Sequence, residues 1–327
     1  MTRADEPWKA EAGANPLWRR VRRWMLGVAA SGFLGGAIGL PLATQGWNEV
    51  TVVDLPTRAA PQSAPAPPVA ELKLMSLNLA HGRGNGFHQA LQKKATIRSH
   101  LDEVAGVLRR EGPDVVALQE ADGPSIWSGQ FNHVEHLARA AEIAHLVRGE
   151  HVRGLKLSYG TAILSRLPLG ETASVTFAPS PPTLSKGFTL ARIAWPGRPD
   201  LLLDVASVHL DFSRESVRNK QVQRLVEVLA TRQRPLVVMG DFNTDWSKAH
   251  GSLRRLAEQL GLRAYEPAAP GMETFPGTQR RLDWILISAP LEFVKYDTLS
   301  DCVSDHCGVL AVIKASEAGP RSGTSGK

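Results

Sequence analysis

The feature that most constrains this chain is a pairing that recurs along it: a short apolar run next to a polar group able to bind a metal or a proton. Leu72–Leu79 alternates apolar and polar residues and carries Asn78 at its end. Val115–Leu118 is followed by Gln119-Glu120, Leu201–Val208 by His209 and Asp211, and Leu236–Met239 by Gly240-Asp241-Phe242-Asn243. Asp283 opens Leu282–Ile287, and Asp305-His306 stands just before Val309–Ile313. Alternation marks half-buried strands, and short continuous apolar runs mark buried ones. Gly160–Ser165 reads as a further strand. Helical stripes fall between the runs: Ile97, Leu101, Val104 and Leu108, stopped by Gly112-Pro113; Val134–Ala144; and Val222, Leu225, Val226 and Leu229, ended before Pro235. Strands interleaved with helices predict an α/β or α+β domain over residues 71–315. One Asp after a strand is usually a turn or a cap. Six polar groups at six strand ends, where side chains converge and loops open, are a pattern that turn chemistry does not explain.

The N-terminal part obeys different rules. Arg19, Arg20, Arg22 and Arg23 form a basic cluster, and no charged residue occurs from Trp24 to Asn48. Trp24–Leu42 is long enough to cross a hydrocarbon core of about 30 Å. This predicts a basic cytoplasmic N-terminus over 1–23 and a transmembrane or signal-anchor helix over 24–44. The body then lies outside the cytoplasmic membrane, or is secreted if the segment is a cleaved signal. Gly32 and Gly36 have the spacing of packed membrane helices. Residues 45–70 are assigned to a Pro-rich linker. Five of the 17 residues from Asp54 to Ala70 are proline, which predicts an extended stalk of roughly 50 Å. The tail, 316–327, is Gly/Ser-rich and is predicted to be disordered.

Of the formal net charge of +6, the first 58 residues contribute +2 and the last twelve +1, so the body is only mildly basic. That tolerates a polyanionic partner without demanding one. The two cysteines, Cys302 and Cys307, are too few for a zinc site. A disulfide between them and a pair of free thiols both remain open.

Asn78, Gln119-Glu120, Ser207-Val208-His209-Leu210, Gly240-Asp241-Phe242-Asn243, Leu282-Asp283-Trp284-Ile285-Leu286 and Ser304-Asp305-His306 resemble, in type and order, the endonuclease/exonuclease/phosphatase superfamily. Tyr159-Gly160 and Ala162-Ile163-Leu164-Ser165 resemble that family's central strand. The resemblance spans nearly all of 71–315. It implies a four-layer α-β-β-α sandwich with two packed mixed sheets. It also implies Mg²⁺-dependent, or Mn²⁺-dependent, attack of water on phosphorus. Such a reaction needs charge neutralised on phosphoryl oxygens and a water made nucleophilic. Glu120, Asn78 and Asp305 are the candidate metal ligands, since Mg²⁺ prefers oxygen donors. The resemblance pairs Asp283 with His306. It has Asp241 orient the water and Asn243 and His209 donate to the phosphoryl group, with Tyr159 either a further donor or a core aromatic. The general base stays open, as does a second metal held by Asp241, Asn243 and His209. Arg281, beside Asp283, is either a substrate contact to a phosphate or a structural arginine before a strand.

Other residues carry two readings each. Arg218 and Gln221 either line the cleft rim or face solvent, and Asp211 reads as a turn residue. Trp127 and Phe131 either stack a base or lipid, or pack in the core. The glycine-rich His81–Gly86 lacks the lysine of a nucleotide-binding loop and reads as a flexible cleft wall. The substrate is a phospholipid head group or small phosphodiester, with nucleic acid close behind. An inositol-phosphate type of phosphomonoesterase and a non-catalytic membrane-anchored module are the remaining alternatives. The complete set of polar positions argues against the last.

Overall fold

The computed structural model describes residues 46–48, 50–55, 71–86, 88, 91–154, 156–247 and 251–316. The apolar segment 24–44, residues 56–70 and the tail from 317 lie outside them. Among the described residues no helix is long and apolar enough to cross a membrane.

Two seven-stranded mixed sheets face each other. The first contains β1 (Gly46–Asn48), β7 (Gly170–Thr176), β8 (Gly187–Trp195), β9 (Arg198–His209), β10 (Leu236–Asp241), β12 (Asp283–Ser288) and β11 (Leu262–Ala264), in that order. The second contains β13 (Leu291–Thr298), β14 (Val309–Ala315), β3 (Glu71–Asn78), β4 (Val115–Asp122), β6 (Tyr159–Ser165), β5 (His145–Val152) and β2 (Val50–Asp54). The β9–β10 and β3–β4 pairs are parallel and the other pairs antiparallel. Helices α1 (Lys94–Glu111) and α2 (His133–Ala140) share a core cluster with the second sheet. Helices α3 (Glu215–Leu229) and α4 (Ser252–Leu260) share one with the first.

Helix α1 buries Ile97, Leu101, Val104 and Leu108, which recur at three- and four-residue spacing on one face. It stops at Gly112, whose φ of 60° suits a residue without a Cβ. Asn132 caps α2 by accepting from the amides of Val134 and Glu135. That helix ends at Ala140, short of the expected Ala144, because the chain turns at Glu142 (φ 56°) and enters β5.

The linker expected over 45–70 is corrected at its start. Residues 46–48 pair with β7, and 50–54 pair with β5, so each sheet gains an edge strand from this segment. The Leu55 amide donates to the carbonyl of Ala144. The proline-rich stretch therefore begins after two strands already belong to the domain, and it joins β2 to β3. It is not a spacer ahead of the domain.

The layer between the sheets is built by period-two alternation. Leu72 and Leu74 of β3, Val115 and Ala117 of β4, Leu203 and Val205 of β9, Val237 and Met239 of β10, and Ile285 and Ile287 of β12 all join one buried cluster. Continuing each strand in steps of two reaches Ser76 and Asn78, Gln119, Ser207 and His209, Asp241, and Asp283. The inward row thus changes from apolar to polar along every one of these strands, and all the polar ends meet at one edge.

Candidate active site

At that edge His209 lies opposite Asp241, and Asp241 opposite Asp283, in a single hydrogen-bonded row. The Asp283 Oδ2 is 2.7 Å from His306 Nδ1, and the other His306 nitrogen is 3.9 Å from Asp241 Oδ2. Asp283 Oδ2 also accepts from the Thr274 hydroxyl at 2.6 Å. Asp241 Oδ2 accepts from the side-chain amides of Asn78 at 3.0 Å and Asn243 at 3.2 Å, and lies 3.5 Å from His209 Nε2. Asn243 holds its position with φ 52°, its own amide donating to Asp241 Oδ1. Gly240 allows the close approach to β9: a Cβ there would stand 1.9 Å from the Val208 carbonyl oxygen.

A second group sits beside the first. Regular alternation would point Glu120 away from Gln119's side of the sheet, but the β4–β6 register shifts between Leu118 and Ala121 and Glu120 takes φ 49°. This bulge is the device that aims the carboxylate, and such backbone positions recur at functional sites. Glu120 Oε2 lies 3.2 Å from His81 Nε2, and His81 Nδ1 lies 2.7 Å from Asp122. Arg83 bonds Asp305 and stands 3.9 Å from Glu120, so one guanidinium bridges the two carboxylates. Lys186 Nζ lies 3.4 Å from His209 Nδ1 and above the Tyr159 ring. The Tyr159 ring meets His81 edge-on.

Burial and neighbouring charge set the proton affinities. Burial, and then Asp283, push the Asp241 carboxyl up to about 7. Burial alone would lower His306, but Asp283 and Asp241 outweigh it and raise it to about 10. Burial opposes charge on Glu120 too, yet His81, Lys186, His209 and Arg83 hold it well below the usual carboxylate range. Burial, followed by Lys186, drives His209 well below its ordinary value, so that imidazole is neutral. Burial raises Asp305.

The residues fit a hard divalent cation. Glu120, Asp305, Asp241 and Asp283 offer oxygen donors, Asp283 Oδ1 is buried without a partner, and burial raises two of the carboxylates. Ligand-type atoms of Asp241, Asp283 and His306 all lie within 4.8 Å of one another. A His306 that keeps its proton between two carboxylates is a poor ligand, so this trio reads as a charge-paired cluster. Glu120 and Asp305 present a second pair of carboxylates, with Arg83 between them. Asn78 has both ends engaged, its Oδ1 accepting from the Ala80 amide, and it steadies Asp241.

The expected residues Asn78, His209, Asp241, Asn243, Asp283 and His306 come together, and Glu120, Asp305 and Tyr159 join them through His81, Arg83 and Lys186. Arg281 is a correction. Its guanidinium lies 3.9 Å from the Trp284 ring centre and donates to the carbonyls of Tyr265 and Glu266. It is a packing residue and not a substrate contact. Arg218 and Gln221 neither line a rim nor face solvent: both are buried and bond the backbone of Asp211. Asp211 is a turn residue, accepting from the amides of Ser213 and Arg214. Phe131 is core, packed with Ile97 and Leu101, while Trp127 stands against His81 and His88. The glycine-rich segment is not merely a wall, since it delivers His81 and Arg83. The signal for those two was their place directly after a strand end. Lys186 had none beyond being a lysine in a Pro/Ser-rich loop.

An oxygen-rich, cation-ready cluster at the polar edge of a two-sheet sandwich defines a metal-dependent phosphoesterase. The chain belongs to the Endonuclease/Exonuclease/phosphatase family, whose model matches residues 75–306. Among solved structures it is similar to an endonuclease/exonuclease/phosphatase from Beutenbergia cavernae DSM 12333, at 22% identity and a TM-score of 0.59, over 76% of this chain and 72% of that one. It is similar to the human Nocturnin catalytic domain with bound sulfate, at 18% identity and a TM-score of 0.58, over 82% and 98%. It is also similar to a humanized D. rerio TDP2, at 18% identity and a TM-score of 0.55, over 76% and 100%. No curated protein matches it in sequence.

Proposed function

We propose that this chain is a Mg²⁺-dependent phosphodiesterase acting outside the cytoplasmic membrane, with water as the nucleophile. The observation that carries the reading is the pair of oppositely tuned groups in contact: Asp241 raised toward neutrality, and His306 kept protonated beside it. Groups pushed apart in this way divide acid and base work. Asp241, held by Asn78 and Asn243, takes the proton of the attacking water. His306, locked by Asp283, presents a cation to the phosphoryl oxygens, so it does not serve as the base. Lys186, beside His209, and His81, beside Glu120, would add positive charge. A divalent ion bound through Glu120 and Asp305 would neutralise phosphoryl charge and act as a Lewis acid.

Cys302 and Cys307 are joined in a disulfide that closes the loop carrying Asp305 and His306. Disulfides persist in oxidising compartments, which supports the extracytoplasmic reading. So does the apolar segment 24–42 behind its arginine cluster.

The test uses the full chain in detergent, because a fragment beginning at residue 71 would lose both edge strands. Hydrolysis of bis-p-nitrophenyl phosphate, a phosphomonoester and plasmid DNA is measured with Mg²⁺, with Mn²⁺ and with EDTA. Mg²⁺-dependent turnover of the diester is expected. Hydrolysis of the monoester alone would refute the diesterase reading, and turnover equal in EDTA would refute the metal.

A further inference from the structure

We infer that Lys186 is a positioning residue for His209: its ammonium fixes that imidazole in the tautomer whose proton sits on Nε2, the nitrogen on Asp241's side of the ring. The inference rests on the phosphodiesterase reading above and assigns the device that readies one of its phosphoryl donors.

The two histidines of the site meet opposite partners through the same ring nitrogen. His306 Nδ1 faces the Asp283 carboxylate at 2.7 Å. A carboxylate only accepts, so that nitrogen carries a proton. His209 Nδ1 faces the Lys186 ammonium at 3.4 Å. An ammonium only donates, so this nitrogen offers its lone pair. The proton of the neutral ring then sits on Nε2, which lies 3.5 Å from Asp241 Oδ2. Both neighbours of the ring select the same tautomer. The reverse one would set an N–H against the ammonium and a lone pair against the carboxylate.

The lysine is built into its place. It is buried, with 6% of its surface exposed. Among the described residues its ammonium meets the His209 nitrogen and the Tyr159 ring, and pairs with no carboxylate. Burial lowers its pKa, while Glu120, Asp241 and Asp211 act from further away to keep the charge. Lys186 stands one residue before β8, whose Gly187 lies opposite His209. The Phe177 amide donates to the Lys186 carbonyl at 2.9 Å. The loop ahead of it is fastened to the turn that follows His209: the Thr183 hydroxyl donates to Asp211 Oδ2 at 2.6 Å, and Arg214 bonds the Ser180 carbonyl. One turn thus registers the lysine against the histidine. A buried ammonium without a carboxylate weakens a fold. Here it polarises the ring from behind, and a polarised N–H is a stronger donor to an anionic oxygen.

The first arm of the experiment reads the ring itself. The full chain, with ¹⁵N-labelled histidine, is studied in detergent and EDTA near neutral pH. Long-range proton–nitrogen correlation separates the two neutral tautomers and the imidazolium, and His209 is assigned by its loss in His209→Gln. The Nε2–H form is expected in the parent. Lys186→Met keeps the buried stem without a donor, and Lys186→Gln has an amide that accepts as well as donates. Each is expected to give mixed tautomers, and either serves should the other not fold. An Nδ1–H ring or an imidazolium in the parent, or an unchanged ring in the variants, overturns the inference. The second arm is hydrolysis of bis-p-nitrophenyl phosphate with Mg²⁺. His209→Gln should lower kcat about 10²-fold and Lys186→Met about tenfold, with KM changed less than about threefold. The double variant should lose no more than His209→Gln alone, because the lysine acts through the ring. Losses that multiply, a loss confined to KM, or no loss in Lys186→Met overturns the inference. If the parent leaves the diester untouched while its ring is Nε2–H and Lys186→Met releases it, the phosphodiesterase reading has failed and the lysine's hold on His209 has not.

Discussion

The space between the two sheets contains two materials. At the end away from the site it is apolar: Leu72, Leu74, Val205, Met239 and Ile285 are fully buried and pack in one hydrophobic cluster. At the other end the same strands carry Ser76, Gln119, Ser207, His209, Asp241 and Asp283, all buried. His151 sits there between the hydroxyls of Thr161 and Thr176, and Thr161 meets Thr189 across the layer. The apolar end obtains its stability from burial, about 1.5–3 kcal/mol for each large side chain. The polar end places charged groups where solvent cannot relax them, which is costly for folding and useful for chemistry. One end should therefore be the seat of stability and the other the seat of activity, and the two should separate under mutation.

Asp241→Asn gives the widest separation. Activity on a soluble diester should fall by about 10²–10⁴, the range for loss of a general base. Stability should move the other way. Asp241 has its folded pKa raised to about 7 against an ordinary 3.8, so its contribution to stability is fully present below pH 3.8 and is lost as pH rises toward 7. Near neutral pH the native carboxylate is therefore a burden, and replacing it should raise unfolding stability by up to about 4 kcal/mol. Urea titration in EDTA, where no cation offsets the charge, measures this. A variant both inactive and less stable would break the contrast.

Leu74→Ala is the mirror experiment. Removing a fully buried leucine leaves a cavity and should cost about 2–5 kcal/mol in urea unfolding. The kcat of the folded enzyme on the soluble diester should stay near the parent value. A kcat that collapses with stability would mean that the apolar end tunes the site after all.

The apolar end was legible from sequence, and the polar end only in part. Apolar runs at Val115–Leu118 and Leu236–Met239 announce strands, and the residues after them announce a site. β7, Gly-Glu-Thr-Ala-Ser-Val-Thr, has no such run because it is half-exposed near a sheet edge. β8 was hidden because its inward positions change from Ile193 and Ala191 to Thr189 and Gly187, which blurs the alternation. β1 and β2 were masked by the uncharged stretch before them and the prolines after. In the site, Glu120 could be named from its place after a strand, but its bulge could not. Arg281 misled because an arginine beside a site aspartate looks the same whether it faces a phosphate or the Trp284 ring. The disulfide was left open because five residues of separation permit it without requiring it.

His151 sharpens the contrast through pH. Burial, and then the nearby Lys186 and Arg148, lower its pKa to about 3. Its unfolded value is near 6.5, so between those limits the unfolded chain binds the extra proton. The stability at stake is fully present above pH 6.5 and drains away as pH falls toward 3. His151→Gln keeps hydrogen-bonding capacity without titrating. From pH 6.5 to pH 5 the parent should lose about 2 kcal/mol more than this variant in urea unfolding. Parallel losses would show that His151 is not held neutral in the fold.

The smallest effect tests whether the polar end is a satisfied network or merely a tolerated one. Ser207 donates to the Leu118 carbonyl at 2.9 Å and accepts from Gln119 Nε2 at 3.1 Å, while Gln119 Oε1 is buried with no partner. The two partners are therefore unequal. Gln119→Leu removes one hydrogen bond together with an unpaired oxygen and leaves Ser207 still bonded to Leu118, so unfolding stability should change by less than about 1 kcal/mol. Ser207→Ala leaves both the Gln119 amide and the Leu118 carbonyl short of a partner in a buried setting, and should cost about 1–3 kcal/mol. The double variant should be more stable than the sum of the two losses implies, because the leucine removes a donor that the alanine would have orphaned. Additive losses, or a Gln119→Leu cost above that of Ser207→Ala, would mean that Gln119 is held in place by something other than Ser207, and that the boundary between the two materials lies deeper in the sandwich than the row at residues 119 and 207.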